Sequence, residues 1–444
     1  MVAEEKYIFK PETKKKLIYM ALAGLVLFAA GVFMAMSSSS HGEEHAVVST
    51  QNMLASTDVV SVSEAEGEAH HGSPVWLKRI YTSLWQNNIF FTGLGLIGLF
   101  FVAIQYAASA GWSAPIKRIP LAIGHWIPIS GILMLGLWFL VKGDVFHWTH
   151  ANLYQEGPTF DHILDGKSVF FFWPMEAGGF PLFYVLRMVI FFGLWYMFFL
   201  WIKKEMLAED IDGATSHWFT ARKYSAIFLI IFAVSSSMSA WDWVMSIDPH
   251  WFSTMMGWYV FASWWVSGLA FITLIVVYLK DAGYLKQVTS NHLHDLGKFI
   301  FAFSIFWTYI WFSQFMLIYY ANIPEETVYF VTRLETSPYA GLFYVNLLLN
   351  FVLPFLLLMT RDAKRHMSML KVVCPIVIFG HWVDFYLMIT PGVMKAEGGF
   401  GLLEIGLAFV FLSAFMYVMY TALAKVPLVA KNHPMMEESM HHHI

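Results

Sequence analysis

Residues 17–36 read LIYMALAGLVLFAAGVFMAM, an apolar run of 20 residues that contains no charged side chain. A helix of about 20 apolar residues spans a bilayer core, so this run is long enough to cross a membrane. It is longer than the apolar core of a cleavable signal peptide, which has about 7–15 residues. We therefore predict a membrane-spanning helix here rather than a cleaved signal.

Nine more apolar runs of comparable length follow along the chain, and none alternates polar and apolar residues as a transmembrane β-strand does. Because lipid offers no hydrogen-bond partner to an open backbone, such runs are predicted to be α-helices. The ten predicted spans are residues 17–36, 85–107, 119–141, 181–202, 224–247, 256–279, 298–320, 340–360, 372–390 and 402–424. The expected fold class is an all-α integral membrane protein with ten transmembrane helices.

The overall composition supports the same fold class. Of the 444 residues, 58% are hydrophobic and only 13% are charged, whereas a soluble domain has about 25% charged residues. The net charge of −4 gives no reason to expect a nucleic-acid partner. The single cysteine, Cys374, excludes a disulfide framework, an iron–sulfur cluster and covalently attached haem within this chain, because each needs more than one cysteine. We expect no metal site and no cofactor of its own.

The distribution of lysine and arginine predicts the orientation, because these residues are enriched in cytoplasmic loops. With the N-terminus in the cytoplasm, 20 of the 27 lysines and arginines fall on the cytoplasmic side. We therefore expect both termini to be cytoplasmic. Residues 37–84 then form an acidic, partly low-complexity periplasmic loop, which we expect partner subunits to hold in place.

Few polar side chains lie inside the predicted spans, and most of them lie toward the outer half. An ionised side chain at mid-bilayer costs about 2.5–3.5 kcal/mol on insertion scales, so each needs a partner or a function. His381 and Asp384 lie three apart in span nine and share a helix face, while Asp242 belongs to a serine-rich stripe of span five. The set comprises His125, Arg187, Asp242, Gln314, His381, Asp384 and Glu404.

Two outer segments add further polar candidates. Residues 241–258 read WDWVMSIDPHWFSTMMGW, and residues 312–330 read FSQFMLIYYANIPEETVYF. They contribute Asp248, His250, Gln314, Tyr320, Glu325 and Glu326. A quinol that gives up two electrons must also lose two protons, and carboxylates or histidines connected to water are suitable acceptors. An outward-leading track of such side chains fits quinol oxidation, and it fits a proton half-channel without quinol equally well.

Structural interpretations of the same residues stay open. Arg187 and Glu404 lie near helix ends, from which long side chains can reach the interface. Intramembrane serines often bond only to backbone carbonyls of their own helix. His125 is interpretable as an interhelical hydrogen-bonding group, and Tyr320 as part of the interfacial aromatic belt.

Two motifs resemble a known family. They are WDWVMSIDPHWFST (241–254) and SQFMLIYYANIPEET (313–327), in the context of ten spans. In these features the chain resembles the membrane subunits of alternative complex III, a quinol:cytochrome c oxidoreductase of bacterial inner membranes. It is most similar to the F-type (ActF) subunits, which are related to the NrfD-like, polysulfide-reductase membrane subunits. The resemblance covers nearly the whole chain.

The resemblance implies an architecture and a set of partners. Two four-helix bundles, spans two to five and six to nine, would be flanked by spans one and ten. This division gives segments 1–84, 85–247, 248–390 and 391–444. The implied partners are an iron–sulfur subunit, c-type haem subunits and a second homologous membrane subunit, together with menaquinol or menaquinone and bound phospholipid.

The resemblance also implies roles for seven residues that fall in the two motifs. The first motif contributes Asp242, Asp248 and His250, and the second contributes Gln314, Tyr320, Glu325 and Glu326. His125, His381 and Asp384 are candidates from the intramembrane argument alone. F-type subunits are associated more with structure and proton conduction than with the menaquinol site. We therefore expect a cofactor-free membrane subunit that contributes a proton pathway, a quinol pocket, or both.

Three other classes remain as alternatives. A purely structural anchor of the complex would tolerate neutral replacement of every intramembrane acid. A secondary transporter would typically show inverted repeats and helices broken at mid-membrane, whereas Pro249 and Pro324 lie near the surface. A b-type cytochrome needs two axial ligands at one depth, and the deep histidines His125 and His381 are predicted at different depths.

Overall fold

The computed structural model describes residues 5–54 and 73–443, and the side chains of residues 38–54 are not described. Every regular element within these ranges is helical, apart from an isolated β-bridge between Lys6 and Pro427. Ten helical segments are long and apolar enough to cross a membrane. The chain is therefore a multi-pass, all-α integral membrane protein, and the prediction from the apolar runs is confirmed.

The described part of the chain contains fifteen α-helices. They are α1 (Pro11–Leu54), α2 (Val75–Ala107), α3 (Arg118–Ile123), α4 (Ile127–Val145), α5 (His162–Phe172), α6 (Leu182–Asp212), α7 (Thr215–Trp243), α8 (Met256–Asp281), α9 (Ser290–Ala321), α10 (Pro324–Glu335), α11 (Tyr339–Leu347), α12 (Leu353–Leu357), α13 (Met367–Met394), α14 (Leu402–Leu423) and α15 (Met436–Met440). Span three combines α3 and α4 through a 3₁₀ turn. Span eight combines α11 and α12 through a π-helical turn, Leu348–Val352.

Most helices extend beyond the apolar runs that predicted them, because an apolar run marks the lipid-embedded part and a helix can continue into the interface. The segment boundary predicted at residue 85 is displaced, since α2 already begins at Val75. The loop predicted over residues 37–84 also begins later, because α1 continues to Leu54. Residues 55–72 of that predicted loop, which we expected partner subunits to hold, lie outside the described residues.

The spans pack as two groups of four. In the first group α2 contacts α4 and α7, and α6 completes the ring by contacting α4 and α7. In the second group α8 contacts α9 and α13, and the α11–α12 span closes the ring between α9 and α13. Helix α1 pairs with α14, and both contact α2. This arrangement has the two four-helix bundles and the two flanking helices that the resemblance implied.

The bundles meet through polar contacts between α2 and α13. The Trp382 Nε1–H donates to Asn87 Oδ1 at 3.0 Å, and the Gln86 amide donates to the Trp382 carbonyl at 3.1 Å. Helices α2 and α8 contact each other, and their apolar stretches are the most buried among the ten spans of the described residues. The first bundle therefore shields the second bundle from lipid on the side where the two bundles meet. The polar residues of the second bundle lie on that side.

Candidate functional site

Asp384 lies at the centre of the second bundle, completely buried. Four neutral groups donate hydrogen bonds to its carboxylate, from three different helices. The Tyr259 and Ser263 hydroxyls of α8 donate one bond each. The Trp307 Nε1–H of α9 donates at 3.0 Å and the Asn346 amide of α11 at 2.8 Å. Such donors stabilise a buried anion without a counter-cation.

His381 lies beside Asp384, one helical turn earlier on α13. Its Nδ1 is 3.9 Å from Asp384 Oδ2, beyond hydrogen-bond distance, and its ring meets the Trp307 ring edge-on at 5.4 Å. The ring is completely buried, and neither nitrogen has a hydrogen-bond partner among the described residues. In the described part of the chain, His381 is the only basic group within 4.0 Å of Asp384. The pair therefore places a carboxylate and an imidazole side by side without a hydrogen bond between them.

The π-helical turn of span eight places a second polar side chain behind Asn346. The Asn350 amide donates to Asn346 Oδ1 at 2.6 Å, which orients the Asn346 amide toward Asp384. Pro354 lies four residues after Asn350. Because proline has no backbone N–H, it cannot donate the regular α-helical hydrogen bond to the Asn350 carbonyl. Gly380 leaves room for this turn, since a Cβ at that position would lie 2.3 Å from Asn350 Oδ1.

A small cavity separates this cluster from the outer end of the bundle. Its wall includes Tyr259 and Asn346 on the Asp384 side, and Gln314, Tyr329 and Arg333 on the other. Gln314 is buried, and its Oε1 has no hydrogen-bond partner among the described residues. The cavity volume is about 10 Å³, which is the size of roughly one water molecule. A quinol ring does not fit this space, because ligand pockets measure about 300–1,000 Å³.

Arg333 closes the cavity toward the outer face. Its Nε–H donates to the Leu387 carbonyl at 2.8 Å. That carbonyl lacks its usual helical donor because Pro391, four residues later, has no N–H. The guanidinium also lies 3.3 Å from the centre of the Tyr329 ring and 3.8 Å from Asp248 Oδ2. Burial raises the pKa of Tyr329 to about 12 even though Arg333 lowers it, so its hydroxyl keeps its proton at neutral pH.

Asp248 lies on the outer side of Arg333. Its second oxygen, Oδ1, is 2.8 Å from the exposed Lys395 ammonium. The side chain of Asp248 is 18% exposed, so the carboxylate reaches solvent while still facing Arg333. The structure thus brings together four predicted residues, Asp384, His381, Gln314 and Asp248, in one outward-leading series.

Asp242 does not belong to this series, contrary to the single track that the sequence predicted. It lies in the first bundle and forms a two-point ion pair with Arg187, at 2.7 and 2.8 Å. Arg187 also donates to the Phe170 carbonyl at 2.7 Å, so it is buried in a pair rather than extended to the interface. Among the residues that the structure describes, Asp242 and Asp384 have no hydrogen-bond partner in common. Its charge is locally neutralised, as expected of a structural ion pair.

His125 and His250 lie at opposite ends of the molecule. His125 is near the predicted cytoplasmic end, where its Nε2 is 2.8 Å from the Lys203 ammonium. His250 is on the outer surface, with its Nε2 2.5 Å from Asp161 Oδ2. Partial burial raises the pKa of Asp161, but hydrogen bonds from His250 and from the Leu164 backbone outweigh it and hold the pKa below its usual value. Both histidines make local contacts outside the Asp384 series.

The other site candidates proposed from residues 312–330 lie away from the Asp384 series. Tyr320 is 79% exposed, so it lies on the surface of the chain rather than in the polar series. Glu325 is exposed and Glu326 half-buried in the first turn of α10, where acidic residues favour the helix N-terminus. The polar series reaches the outer face through Arg333 and Asp248 instead of through these glutamates.

Sequence reasoning missed most partners of Asp384. Asn346 and Asn350 lie four apart in an otherwise apolar span, which is a detectable signal for a shared helix face. Tyr259, Ser263 and Trp307 carry no such local signal, because only packing between helices shows which residues they approach. The sequence could have indicated Arg333, because it is the one basic residue of the outer helix α10.

Neither a scan against protein-family models nor a search of the curated proteins finds a match for this chain. Among the described residues, no group of three or more histidine, cysteine or acidic side chains is arranged to hold a metal ion. The geometry of the Asp384 series is therefore the main structural indication of function.

Proposed function

We propose that this chain is a cofactor-free membrane subunit of a respiratory quinol:cytochrome c oxidoreductase, and that the Asp384 series is its outward proton path. One observation carries the proposal. Asp384 is completely buried and receives only neutral hydrogen-bond donors, two of which, Tyr259 and Asn346, line a water-sized cavity. Arg333 lines the other side of that cavity and lies 3.8 Å from the partly exposed Asp248. Intramembrane ionisable residues of this kind commonly mark proton relays.

The chemistry of the series supports proton transfer. A carboxylate surrounded by hydroxyl and amide donors is stabilised as an anion, yet no fixed cation prevents it from accepting a proton. His381 offers a second acceptor 3.9 Å away. A water in the cavity would be within reach of the Gln314 and Asn346 side chains that line it. The Arg333 guanidinium cannot lose a proton at physiological pH, so transfer past it proceeds through water and Asp248.

The size of the cavity beside Asp384 favours a proton path over a quinol pocket at that position. Quinol oxidation and the redox centres are then assigned to the partners: an iron–sulfur subunit, c-type haem subunits and a second, homologous membrane subunit. The proposal places the whole assembly in a bacterial inner membrane with menaquinol as the reductant. This assignment follows the motif resemblance in residues 241–254 and 313–327.

The decisive experiment replaces Asp384 by asparagine in the intact complex, reconstituted into vesicles. We expect quinol-dependent electron transfer and proton release on the outer side to fall at least about tenfold, because one positioned proton acceptor typically contributes 10²–10⁴-fold. Asp165→Asn is the matched control, since Asp165 is exposed on the outer helix α5. Co-purification with haem and iron–sulfur proteins tests the assignment of the partners.

A second, milder variant tests the same carboxylate in case Asp384→Asn fails to fold. Tyr259→Phe removes one donor to the carboxylate and keeps the ring volume, so we expect an assembled complex with a shifted pH profile of turnover. If assembled Asp384→Asn turns over and releases protons like the wild type, the path is not functional. A purely structural anchor would then be the better account, and the self-contained Arg187–Asp242 pair already favours such a role for the first bundle.

A further inference from the structure

A much larger cavity, about 440 Å³, lies between the bundles and the two flanking helices. Helices α1, α2, α8, α13 and α14 line it. Its wall consists of apolar and aromatic side chains, among them Leu17, Phe90, Phe271, Ile378 and Leu412. Such a wall offers water no hydrogen-bond partners, so the space is suited to hydrocarbon. It is open to the surroundings, because the lining residues Phe379 and Phe409 are also exposed on the molecular surface.

The cavity begins at the predicted cytoplasmic side of the membrane. Leu17 belongs to the first turns of α1, Tyr278 to the last turn of α8, and Pro375 to the first turns of α13. All three helix ends face the cytoplasm in the predicted orientation. From there the cavity extends toward Ile405, near the outer end of α14. Its long axis therefore follows the direction of an acyl chain.

Basic side chains surround the cytoplasmic end of the cavity. Lys16 is exposed and lies one turn before the lining residue Met20, on the same face of α1. Lys371 lies one turn before Pro375 on α13, and its ammonium is 5.8 Å from the centre of the Tyr278 ring. Lys371 also pairs with Asp281 at 2.7 Å.

The lysines at this end outnumber the acids. Lys14 and Lys15 are exposed beside Lys16, and Glu12 and Asp281 are the neighbouring acids. This basic rim has the charge that attracts anionic headgroups at a cytoplasmic membrane surface.

We propose that the cavity binds one anionic phospholipid of the inner leaflet. One acyl chain occupies the cavity, and the phosphate lies near Lys16 and Lys371. The basic rim selects an anionic headgroup over a zwitterionic one, while the apolar wall excludes polar solutes. The bound lipid would fill the gap between the α1–α14 pair and the second bundle. This site does not depend on the proton path, because it shares no lining residue with the Asp384 series.

The test counts lipids that stay bound to the full chain extracted from membranes with its annular lipid and then washed. The wild type is expected to retain one anionic phospholipid by native mass spectrometry. Ala408→Phe places a ring in the cavity, so we expect that lipid to be lost. Ala226→Phe, at an exposed position of α7, is the matched control and should retain it.

A second pair of variants tests the headgroup. Lys16→Gln with Lys371→Gln should lower the ratio of phosphatidylglycerol to phosphatidylethanolamine in the retained lipid at least about fivefold. Lys204→Gln with Lys223→Gln, at exposed positions near the inner ends of α6 and α7, should leave the ratio unchanged. The proposal is overturned if Ala408→Phe retains as much phospholipid as Ala226→Phe. It is also overturned if both double variants keep the wild-type ratio, or if the retained molecule is a quinone.

Discussion

Asp242 and Asp384 show at the scale of single residues how neighbours determine what a buried carboxylate can do. Both are almost completely shielded from solvent. Asp242 faces a guanidinium through two hydrogen bonds, which fixes its charge. Asp384 faces hydroxyl, indole and amide donors, none of which is a fixed cation. The spacing of polar residues in the sequence identified both acids, but only their partners on other helices distinguish the ion-paired carboxylate from the one with neutral donors.

The Arg187–Asp242 pair leads to a prediction about stability. Removing one member of a buried ion pair leaves an uncompensated charge and typically costs about 3–5 kcal/mol, whereas replacing both members by apolar residues is often tolerated. We therefore expect Asp242→Asn to lower the free energy of unfolding by about 3 kcal/mol or more. Arg187→Met with Asp242→Leu should recover at least half of that loss. Denaturant unfolding of the purified chain in mixed micelles measures both values.

A surface ion pair provides the control for that prediction. Asp281 pairs with Lys371 at 2.7 Å, but its side chain is 52% exposed. Exposed pairs contribute about 0–1 kcal/mol, so Asp281→Asn should change the free energy of unfolding by less than about 1 kcal/mol. If Asp242→Asn is as mild as Asp281→Asn, the buried pair is not a stabilising element of the first bundle.

At the scale of helices, the sequence predicts the spans well and their contacts poorly. Ten apolar runs are enough to place ten membrane-spanning helices, because the bilayer imposes both length and backbone pairing. The π-helical turn Leu348–Val352 was not foreseen, since it depends on how Asn350 meets Gly380 of another helix. The pairing of α1 with α14 likewise depends on glycines that only the packed structure brings opposite each other.

Helices α1 and α14 touch backbone to backbone, and this contact leads to a prediction. A Cβ at Gly406 would lie 2.4 Å from the Phe28 nitrogen and 2.6 Å from the Gly24 carbonyl oxygen. Small residues allow such close approach between transmembrane helices. We expect Gly406→Ala to separate the two helices and to destabilise the chain by about 1–3 kcal/mol, measured by thermal unfolding.

Gly193→Ala is the matched control for this contact. Gly193 is exposed on α6, and no atom lies within 4 Å of a Cβ placed there. Alanine is favoured over glycine inside a helix by about 1 kcal/mol, so this variant should be neutral or slightly stabilising. Equal effects of the two substitutions would show that the close approach at Gly406 is not required.

At the scale of the whole molecule, the segment after α14 joins the inner ends of both bundles. The Lys431 backbone N–H donates to Asp210 of α6 at 2.9 Å, and His433 Nε2 is 2.9 Å from the Lys117 ammonium. Farther along, His442 Nε2 is 2.6 Å from Asp295 of α9. Nothing in the sequence pattern of this segment shows which helix ends it reaches. The contacts make it a strap across the predicted cytoplasmic face.

Lys117 gives this strap a pH dependence. Burial lowers the pKa of Lys117 to about 7, against the attraction of Glu209. In the unfolded chain the pKa is about 10.4, so between these values the unfolded state binds more protons than the folded state. The free energy of unfolding therefore rises with pH across this window and is lowest below about pH 7. We expect the thermal unfolding midpoint of the wild type to increase from about pH 7 to about pH 9.

Lys117→Met removes the titrating group and keeps an unbranched side chain over the Tyr106 ring, which lies 4.1 Å from the lysine ammonium. We expect the variant to lose the rise in unfolding midpoint between about pH 7 and about pH 9, because no buried amine remains to be deprotonated. Lys204→Met, at an exposed position on α6, should keep the wild-type slope. A Lys117→Met chain with that same slope would assign the pH dependence to another group. Lys117 would then be charged in the folded protein, held by His433 and Glu209 instead of neutralised by burial.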